Sequence, residues 1–503
     1  MRWISRCLAV VLAAASGNVS PPPPTAYPVT AFGAKADARA KDTRAIQKAI
    51  DTCAENGGGT VHFPPGTYLT GSLHLRSRVA LYLDHGATIK ASTEQDDFDP
   101  CEELGFKNDA DRETSSFHYS LLWGEKVESV VIAGTGTIDG NRTKRGGPKP
   151  IALKRCQGVT IRDITIRNAP NYAISLLGTD DVCIDGVNIC NGYCDGIDPD
   201  ACRHVRIANC QIDTWDDAIV PKASFSLGVR RAVEYLTVTN CILATNCSAF
   251  KLGTESGGGF RHITVSNCIM HNRATGGPPL SGIALESVDG GDLEGVTISN
   301  ISMVNVRAPI FLRLGNRGRD METPTPGTLR NVVISNIVAT GASQACPVTG
   351  LAAHALRNIT LDNIEITFSG GGTVEQTNVQ VPECESKYPE ATMFGTLPSY
   401  GLYCRHVEGL RLRNIHLGLQ ASDCRHALVC DDVARVVIDS LDTDRSQGAE
   451  STIRFQGVRK ALIGNCMLPE PMSDFIKVMD GAMKEITFPG NDARPAKPEV
   501  GVQ

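Results

Sequence analysis

Several aspartates lie close together between Tyr193 and Lys222, and carboxylates at this density can carry out acid–base chemistry. Asp195 stands 21 residues before Asp216, which is followed directly by Asp217. The surrounding chain repeats with nearly this period, so we expect the carboxylates to return to one face of the molecule, one coil apart. Neighbouring carboxylates cannot all ionise freely, so at least one pKa should rise, as a proton donor beside a charged base requires. A single Asp next to Gly is more simply a turn former, but for this cluster we favour catalysis.

Short strands in a long repeat must position these carboxylates. From Val127 onward the pattern is apolar-x-apolar-x-Asn-apolar-x-apolar, as in VRIANCQI and VTISNISM. The recurrent Asn stands at Asn209, Asn240, Asn267, Asn300, Asn336, Asn363, Asn414 and Asn465. Such a repeat, without helical spacing between strands, predicts an all-β fold, a single-stranded parallel β-helix whose coils pair at about 4.8 Å. We expect the Asn side chains to occupy a bend and to pair along the stack.

The rest of the chain divides around this repeat. Two arginines and a short apolar run indicate a signal peptide at residues 1–17, because the run is too short to span a bilayer. A proline-rich spacer covers residues 18–27, the catalytic β-helix domain 28–480, and a C-terminal strand and tail 481–503. We therefore predict a secreted or periplasmic protein.

Three further elements are predicted within the domain. Residues 29–34 form a first strand, and the apolar spacing from Thr43 to Glu55 predicts an amphipathic helix that caps the open end of the core. Residues 382–400 form a long loop that folds back over one face. The basic run of Arg313, Arg317 and Arg319 is interpreted as a solvated loop, with contact to an acidic glycan at an outer subsite as the alternative.

Composition limits the partners and cofactors. A net charge of −6 and a pI near 6.0 give no electrostatic reason to expect nucleic acid or an anionic membrane as partner. Of the 18 cysteines, most are expected to be core thiols, since several follow the recurrent Asn; one or two bridges among Cys183, Cys190, Cys194 and Cys202 stay open. His and Cys lack structural-zinc spacing, so we predict no metal and no cofactor.

The ordered set of motifs resembles glycoside hydrolase family 28, the polygalacturonase group. The similar segments are the stretch from VTAFGAKADARAKDTRAIQKAI to SLHLRS, the coils YCDGIDPDACRHVRI and DTWDDAIVPKAS, and the later PIFLRLGNRGR and MFGTLPSYGLYCRHVEGLRLRNI. The resemblance covers roughly residues 28–465. It implies a right-handed parallel β-helix of the pectin-lyase type and hydrolysis that inverts the anomeric centre.

When the family's motifs are placed on this sequence residue by residue, their aspartates are present, whereas their His, Arg and Lys are absent. The Asn-Thr-Asp motif falls on Tyr193-Cys194-Asp195, and the Asp-Asp motif on Asp216-Asp217. The Gly-His-Gly motif falls in residues 246–250, which contain no His, and the Arg-Ile-Lys motif falls on residues 284–286, Ala-Leu-Glu. Arg and Lys would hold a uronate carboxylate there, and Glu286 would repel it.

The predicted function is an exported, inverting glycoside hydrolase acting on pectin-like or related polysaccharide or its oligosaccharides. The catalytic residues are Asp195, Asp216 and Asp217, with Asp217 as the acid and the other two activating water; Lys222, Lys251 and Glu286 are the substrate-binding candidates. For the lysines a solvated position on the rim is an equal alternative. The protein is predicted to be a monomer. A β-helix polysaccharide lyase and a non-catalytic carbohydrate-binding solenoid are the alternative functions.

Overall fold

The computed structural model describes residues 26–444, 448–466, 475–479 and 485–488, and the backbone of 501–502. Within them the chain is a right-handed parallel β-helix, which confirms the predicted fold class. Three parallel sheets run along its length, and one continuous apolar core fills the space between them. The predicted signal peptide, most of the spacer and most of the C-terminal tail lie outside the described residues.

Sheet 1 receives one strand from every coil, each pairing in parallel with the next. Its strands are Ala26–Pro28, Gly59–Phe63, Val79–Leu83, Glu128–Gly134, Gln157–Arg162, Asp180–Asp185, Arg203–Ala208, Val233–Thr239, Lys460–Gly464 and Glu485–Thr487. Longer strands bend from sheet 1 into sheet 2; they are Phe260–Asn272, Leu293–Val304, Leu329–Ala342 and Leu356–Phe368.

Sheet 2 follows sheet 1 in each coil. Its separate strands are Asp37–Lys41, Gly66–Thr70, Ala87–Ala91, Thr137–Asp139, Thr165–Arg167, Asn188–Gly192, Gln211–Thr214 and Ile242–Thr245.

Sheet 3 completes each coil and carries the acidic cluster. Its separate strands are Leu73–His74, Ser120–Glu125, Lys149–Lys154, Ile174–Leu177, Ile197–Asp200, Ser248–Leu252, Ser281–Ser287, Ala308–Leu314, Cys346–Thr349, Ile453–Gln456, Ile476–Val478 and Gly501–Val502. Two long strands, Ser399–Leu419 and His426–Thr443, pass through all three sheets.

The recurrent Asn residues occupy the bend between sheets 1 and 2, as predicted. Their backbones are left-handed, with φ between 48° and 57° from Asn209 to Asn465, a conformation that Asn tolerates better than most residues. Side-chain amides donate to the preceding Asn along the stack, at 3.0 Å for Asn300 to Asn267, 2.9 Å for Asn336 to Asn300 and 2.8 Å for Asn363 to Asn336. The repeat therefore builds a ladder of side-chain hydrogen bonds along the outside of the helix.

The N-terminal end of the core is closed by an α-helix at Thr43–Glu55, with the bounds that the sequence predicts. Ile46, Ala49, Ile50 and Cys53 are fully buried in the main core. The strand predicted at residues 29–34 is wrong, because Val29–Phe32 forms a 3-10 helix that ends at Gly33 in a left-handed conformation. The other helices are the short α-helix Arg112–Ser115 and the 3-10 helices Gln95–Asp97 and Val374–Asn378.

All seventeen cysteines among the described residues are unbridged, including Cys183, Cys190, Cys194 and Cys202. Cys210, Cys241 and Cys268 follow the recurrent Asn and are buried one above another in successive coils, as expected for core thiols. A search of the described helices finds none with the length and apolar character of a membrane span.

Candidate active site

Asp195, Asp216 and Asp217 lie together on the outer side of sheet 3. Asp195 lies two residues before the strand Ile197–Asp200, and the intervening Gly196 amide donates to the Asp217 carbonyl of the next coil at 2.9 Å. The closest carboxylate oxygens of Asp195 and Asp216 are within 4.8 Å, and so are those of Asp216 and Asp217. The near match between residue spacing and coil length therefore brings the three carboxylates together.

Two of the three carboxylate pairs, Asp195–Asp216 and Asp216–Asp217, have oxygens within 4.8 Å of each other. Two carboxyl groups in an inverting glycosidase are typically about 6.5–9.5 Å apart, which leaves room for a water molecule. The 4.8 Å limit applies to the closest oxygens and not to the separation of the carboxyl groups, so the stereochemical outcome does not follow from it.

Asp195 is buried and shares a lysine with Asp198. The Lys222 ammonium lies 2.7 Å from Asp195 Oδ2, also bonds Asp198, and is 3.9 Å from the centre of the Tyr172 ring. Burial raises the pKa of Asp195 well above its usual value, and the negative charges of neighbouring aspartates add to this, although Lys222 opposes it. Lys222 stays charged, because Asp195 and Asp198 outweigh the effect of its burial and raise its pKa.

Asp217 is also buried, and two donors fix its orientation. The backbone N–H of Ser248 donates to Oδ1 at 2.8 Å, and the Lys251 ammonium lies 3.2 Å from Oδ2. Together the two donors hold the carboxylate in one orientation. Lys251, which is almost fully buried, thus belongs to the acidic cluster and not to a solvated rim.

Asp216 is the most exposed member, with 26% of its side chain accessible against 6% for Asp195 and 7% for Asp217. Arg145 Nη1 donates to Asp216 Oδ2 at 2.6 Å, and the same guanidinium bonds Glu113. Burial alone would raise the pKa of Asp216, but Arg145 and Lys251 outweigh it and lower the pKa below its usual value.

Glu286 is brought near the cluster but does not line its pocket. It is 1% exposed and lies behind Gly253, where Oε2 has no hydrogen-bond partner among the described residues. Burial raises the pKa of Glu286 to about 8, with Lys251 opposing the shift. The sequence predicts that an ionised Glu286 repels a substrate carboxylate. With a pKa of about 8, Glu286 is mostly neutral near pH 7 and does not have this effect.

The long loop at residues 369–398 folds back over sheet 3, as predicted for residues 382–400. Its Ala391, Phe394 and Leu397 pack in an apolar cluster with Ala284 and Phe311 of sheet 3. The position aligned with the family's Arg, Ala284, is therefore covered by the loop. This cluster closes the C-terminal side of the carboxylates.

Arg313 in the basic run before this loop is buried, and Arg317 and Arg319 are paired and mostly covered, so the interpretation of the run as a solvated loop is wrong. Arg313 is 1% exposed and donates to the carbonyls of Glu383 and Cys384 at 2.7 and 3.1 Å. Arg317 bonds Asp289 at 2.9 Å, and Arg319 bonds Glu255 at 2.6 Å. These arginines hold the loop and the acidic residues beneath it, because each forms charge-assisted bonds away from bulk water.

A pocket of about 60 Å³ reaches the three aspartates. It is lined by Asp111, Arg145, Tyr172, Asp195, Asp216, Asp217, Lys222, Lys251, Gly253, Thr254, Glu255 and Tyr388. A larger cavity of about 570 Å³ lies on the N-terminal side, lined in part by Arg112, Glu113, Tyr119, Gly146 and Asn171. Arg145 lines the smaller pocket and the next two residues, Gly146 and Gly147, line the larger cavity, so the two spaces adjoin along sheet 3.

Sequence reasoning missed Arg145, Tyr172 and Tyr388. Arg145 belongs to the basic stretch RTKRGG, which has no periodic pattern to distinguish it from solvated residues. Tyr388 lies in the loop predicted to fold back, so its position was foreseeable although its contacts with Lys251 and Arg317 were not.

Comparison with known proteins gives consistent matches. The sequence model for glycosyl hydrolases family 28 matches residues 53–386. A probable polygalacturonase of Vitis vinifera is 24% identical, covering 74% of this chain and 80% of its own. An exo-poly-alpha-D-galacturonosidase of Dickeya chrysanthemi is 25% identical, covering 65% of this chain, which spans only 64% of that enzyme.

Two solved structures share the fold. The family 28 exopolygalacturonase of Yersinia enterocolitica has a TM-score of 0.63 at 17% identity, covering 84% of this chain and 79% of its own. The hyperthermoactive exopolygalacturonase of Thermotoga maritima has a TM-score of 0.59 at 22% identity, covering 69% and 87%. The β-helix described above is thus the fold of these two enzymes.

Proposed function

The chain belongs to glycosyl hydrolases family 28 and is a polygalacturonase-type glycoside hydrolase, and we propose that Asp195, Asp216 and Asp217 hydrolyse glycosidic bonds of a pectin-like polysaccharide. The observation that carries this proposal is the meeting of three carboxylates and two buried lysines at one pocket on the outer side of sheet 3. The relatives named for activity on galacturonans support the substrate class.

We assign the proton donor to Asp216. The donor must reach the glycosidic oxygen, and Asp216 is the most exposed of the three. Because Arg145 holds the pKa of Asp216 low, this role requires that a bound substrate first displace Asp216 from Arg145. Asp217, the donor expected from sequence, is buried and has both carboxylate oxygens engaged by the Ser248 N–H and by Lys251, so we assign it the base role. We assign Asp195, which has an oxygen within 4.8 Å of Asp216, to assist in orienting the water.

The proposed reaction balances with water as the only co-reactant. The Asp216 carboxyl transfers its proton to the glycosidic oxygen as the bond from that oxygen to the anomeric carbon breaks. Water attacks the anomeric carbon from the opposite face and gives its proton to Asp217, which inverts the configuration. Proton exchange with solvent then restores both carboxyl groups.

The test is hydrolysis of polygalacturonate and a panel of related glycans, followed as new reducing ends. Asp195→Asn, Asp216→Asn and Asp217→Asn should each lower kcat by about 100-fold or more, because general acid or base catalysis contributes this much. Asp163→Asn, an exposed aspartate elsewhere on the helix, is the matched control. Near wild-type kcat in the three variants would contradict the assignment.

Two further readouts distinguish the alternatives. A lyase would generate an unsaturated product with ultraviolet absorbance, and a binding solenoid would yield neither that product nor reducing ends. Proton NMR of the first product reports the anomer, and retention would contradict the inverting mechanism.

We also propose export and a monomeric state, from the sequence at residues 1–17 and from the single stack of coils. The expected mature protein begins after residue 17 and carries the domain at 28–480. Mass spectrometry of protein from the medium or periplasm tests the cleavage, and sedimentation equilibrium tests the monomer.

A further inference from the structure

We propose that Arg145 binds the carboxylate of an acidic sugar where the pocket of the aspartates adjoins the cavity on their N-terminal side, and thereby replaces the missing Arg and Lys on their C-terminal side. This inference rests on the proposed function, since it concerns the substrate of the same site. It names both the residue that selects acidic sugars and the direction in which the glycan extends.

Arg145 is the most accessible of the three cationic side chains that line the pocket. The other two cations lining it, Lys222 and Lys251, are 4% and 2% exposed and are each paired with buried carboxylates. The Arg145 side chain is 48% exposed. A substrate carboxylate can therefore reach the Arg145 guanidinium from solution, whereas Lys222 and Lys251 are enclosed.

The Arg145 guanidinium is held by two carboxylates, those of Glu113 and Asp216. Its Nε and Nη2 face the carboxylate of Glu113, with Nε 3.0 Å from Oε1, while Nη1 alone reaches Asp216. Glu113 thus occupies one edge of the planar fork and orients it. A substrate carboxylate can replace Asp216 at Nη1 while Glu113 keeps Arg145 in position.

The space beside the aspartates is filled on their C-terminal side and open on their N-terminal side. On the C-terminal side, Ala284 packs under Phe394 and Leu397 of the long loop, so no acidic group can be placed there. On the N-terminal side the cavity of about 570 Å³ is lined by residues next to Arg145, including Gly146, Gly147 and its partner Glu113. The open space and the accessible guanidinium are on the same side.

The exchange also prepares the proton donor. The charged and titratable groups around Asp216 are Arg145, Lys251 and Lys222, with the carboxylates of Asp195 and Asp217 and the thiols of Cys194 and Cys247. When the substrate takes Nη1, Asp216 loses its nearest cation while staying largely buried. Proton uptake by Asp216 is then favoured once an acidic sugar is in place.

The experiment measures binding separately from turnover. Trigalacturonate and its fully methyl-esterified form are titrated calorimetrically into Asp217→Asn, with and without Arg145→Gln; Lys144→Gln in the same loop is the matched control. Arg145→Gln should weaken trigalacturonate binding about 10- to 100-fold and change methyl-ester binding by no more than about threefold, as expected for one lost charge-assisted interaction. Arg145→Lys should recover part of the loss, because it restores charge without the fork.

The opposing outcomes are equally specific. Unchanged trigalacturonate binding in Arg145→Gln, equal loss for acid and ester, an equal effect of Lys144→Gln, or no binding of trigalacturonate by Asp217→Asn would each overturn the inference. Failure of the proposed function has a different signature: the wild-type protein releases no reducing ends although Arg145-dependent binding of trigalacturonate is present.

Discussion

At the scale of single residues, the site is defined by carboxyl groups that the fold buries beside lysines. Burial raises the pKa of Asp198 and of Asp200 to about 6, and that of Glu286 to about 8. Each of these groups holds its proton at a higher pH in the folded chain than in the unfolded one. Folding is consequently linked to proton binding at several points on sheet 3.

Glu286 gives the clearest test of this linkage. Its folded pKa of about 8 exceeds the ordinary value of 4.5, so the folded state binds more protons between these pH values and stability falls as pH rises through that window. Glu286→Gln keeps the shape and removes the titration. The loss in free energy of unfolding between pH 5 and pH 8 should become smaller, by an amount on the order of 4 kcal/mol.

Chemical denaturation at a series of pH values measures this difference. Glu322→Gln, at an exposed glutamate, is the control and should leave the pH dependence unchanged. A pH dependence in Glu286→Gln equal to that of the wild type would show that Glu286 titrates normally in the folded protein.

At the scale of elements, the loop at residues 369–398 determines which side of the carboxylates is open. It packs its apolar residues on sheet 3 and places Tyr388 with its ring centre 5.6 Å from the Lys251 ammonium. Arg313 anchors it, since the buried guanidinium donates to loop carbonyls and to the Gly350 carbonyl. The loop therefore acts as a fixed wall of the site.

Removing that anchor should loosen the wall. Arg313→Met keeps the volume but leaves three buried carbonyls without a donor, so we expect a loss of about 3 kcal/mol in the free energy of unfolding. Limited proteolysis should also cut residues 369–398 faster. Arg330→Met, which removes an exposed ion pair with Glu294, should cost less than about 1 kcal/mol. Equal effects of the two substitutions would argue against the anchoring role.

The elements that sequence predicts well are those with a local period. The helix at Thr43–Glu55 and the bend at Asn267 and its equivalents follow from spacing, and the approach of Asp195 to Asp216 follows from coil length. The burial of Glu286 does not follow from the sequence pattern. Every residue of the strand Ser281–Ser287 is buried, on one face by the core and on the other by neighbouring elements, so the usual alternation of buried and exposed residues is absent.

The role of Arg145 could not be predicted for the same reason. It reaches Asp216 from a loop whose conformation depends on Glu113, which lies 32 positions away in sequence. Contacts between two irregular segments have no periodic signature in a single sequence. The acids of the site were thus predictable, whereas the groups that tune and cover them were not.

At the scale of the whole molecule, stability comes from stacking similar coils. One apolar core runs from the capping helix to the last described coils, and the Asn ladder runs beside it on the outside. In such a stack each coil is stabilised mainly by its two neighbours. A substitution in the middle of the ladder is therefore expected to destabilise the coils on both sides of it.

Asn300 is suited to measure this contribution. It donates to Asn267 at 3.0 Å, accepts from Asn336 at 2.9 Å, and has a φ of 57°. Asn300→Gly keeps the left-handed backbone accessible and loses only the ladder bonds, at a cost of about 1 kcal/mol. Asn300→Ala loses the same bonds and also strains the backbone, so we expect a total cost of about 2–3 kcal/mol. Urea denaturation measures both; equal stabilities for the Ala and Gly variants would mean that the bend relaxes and that the left-handed conformation is not required for stacking.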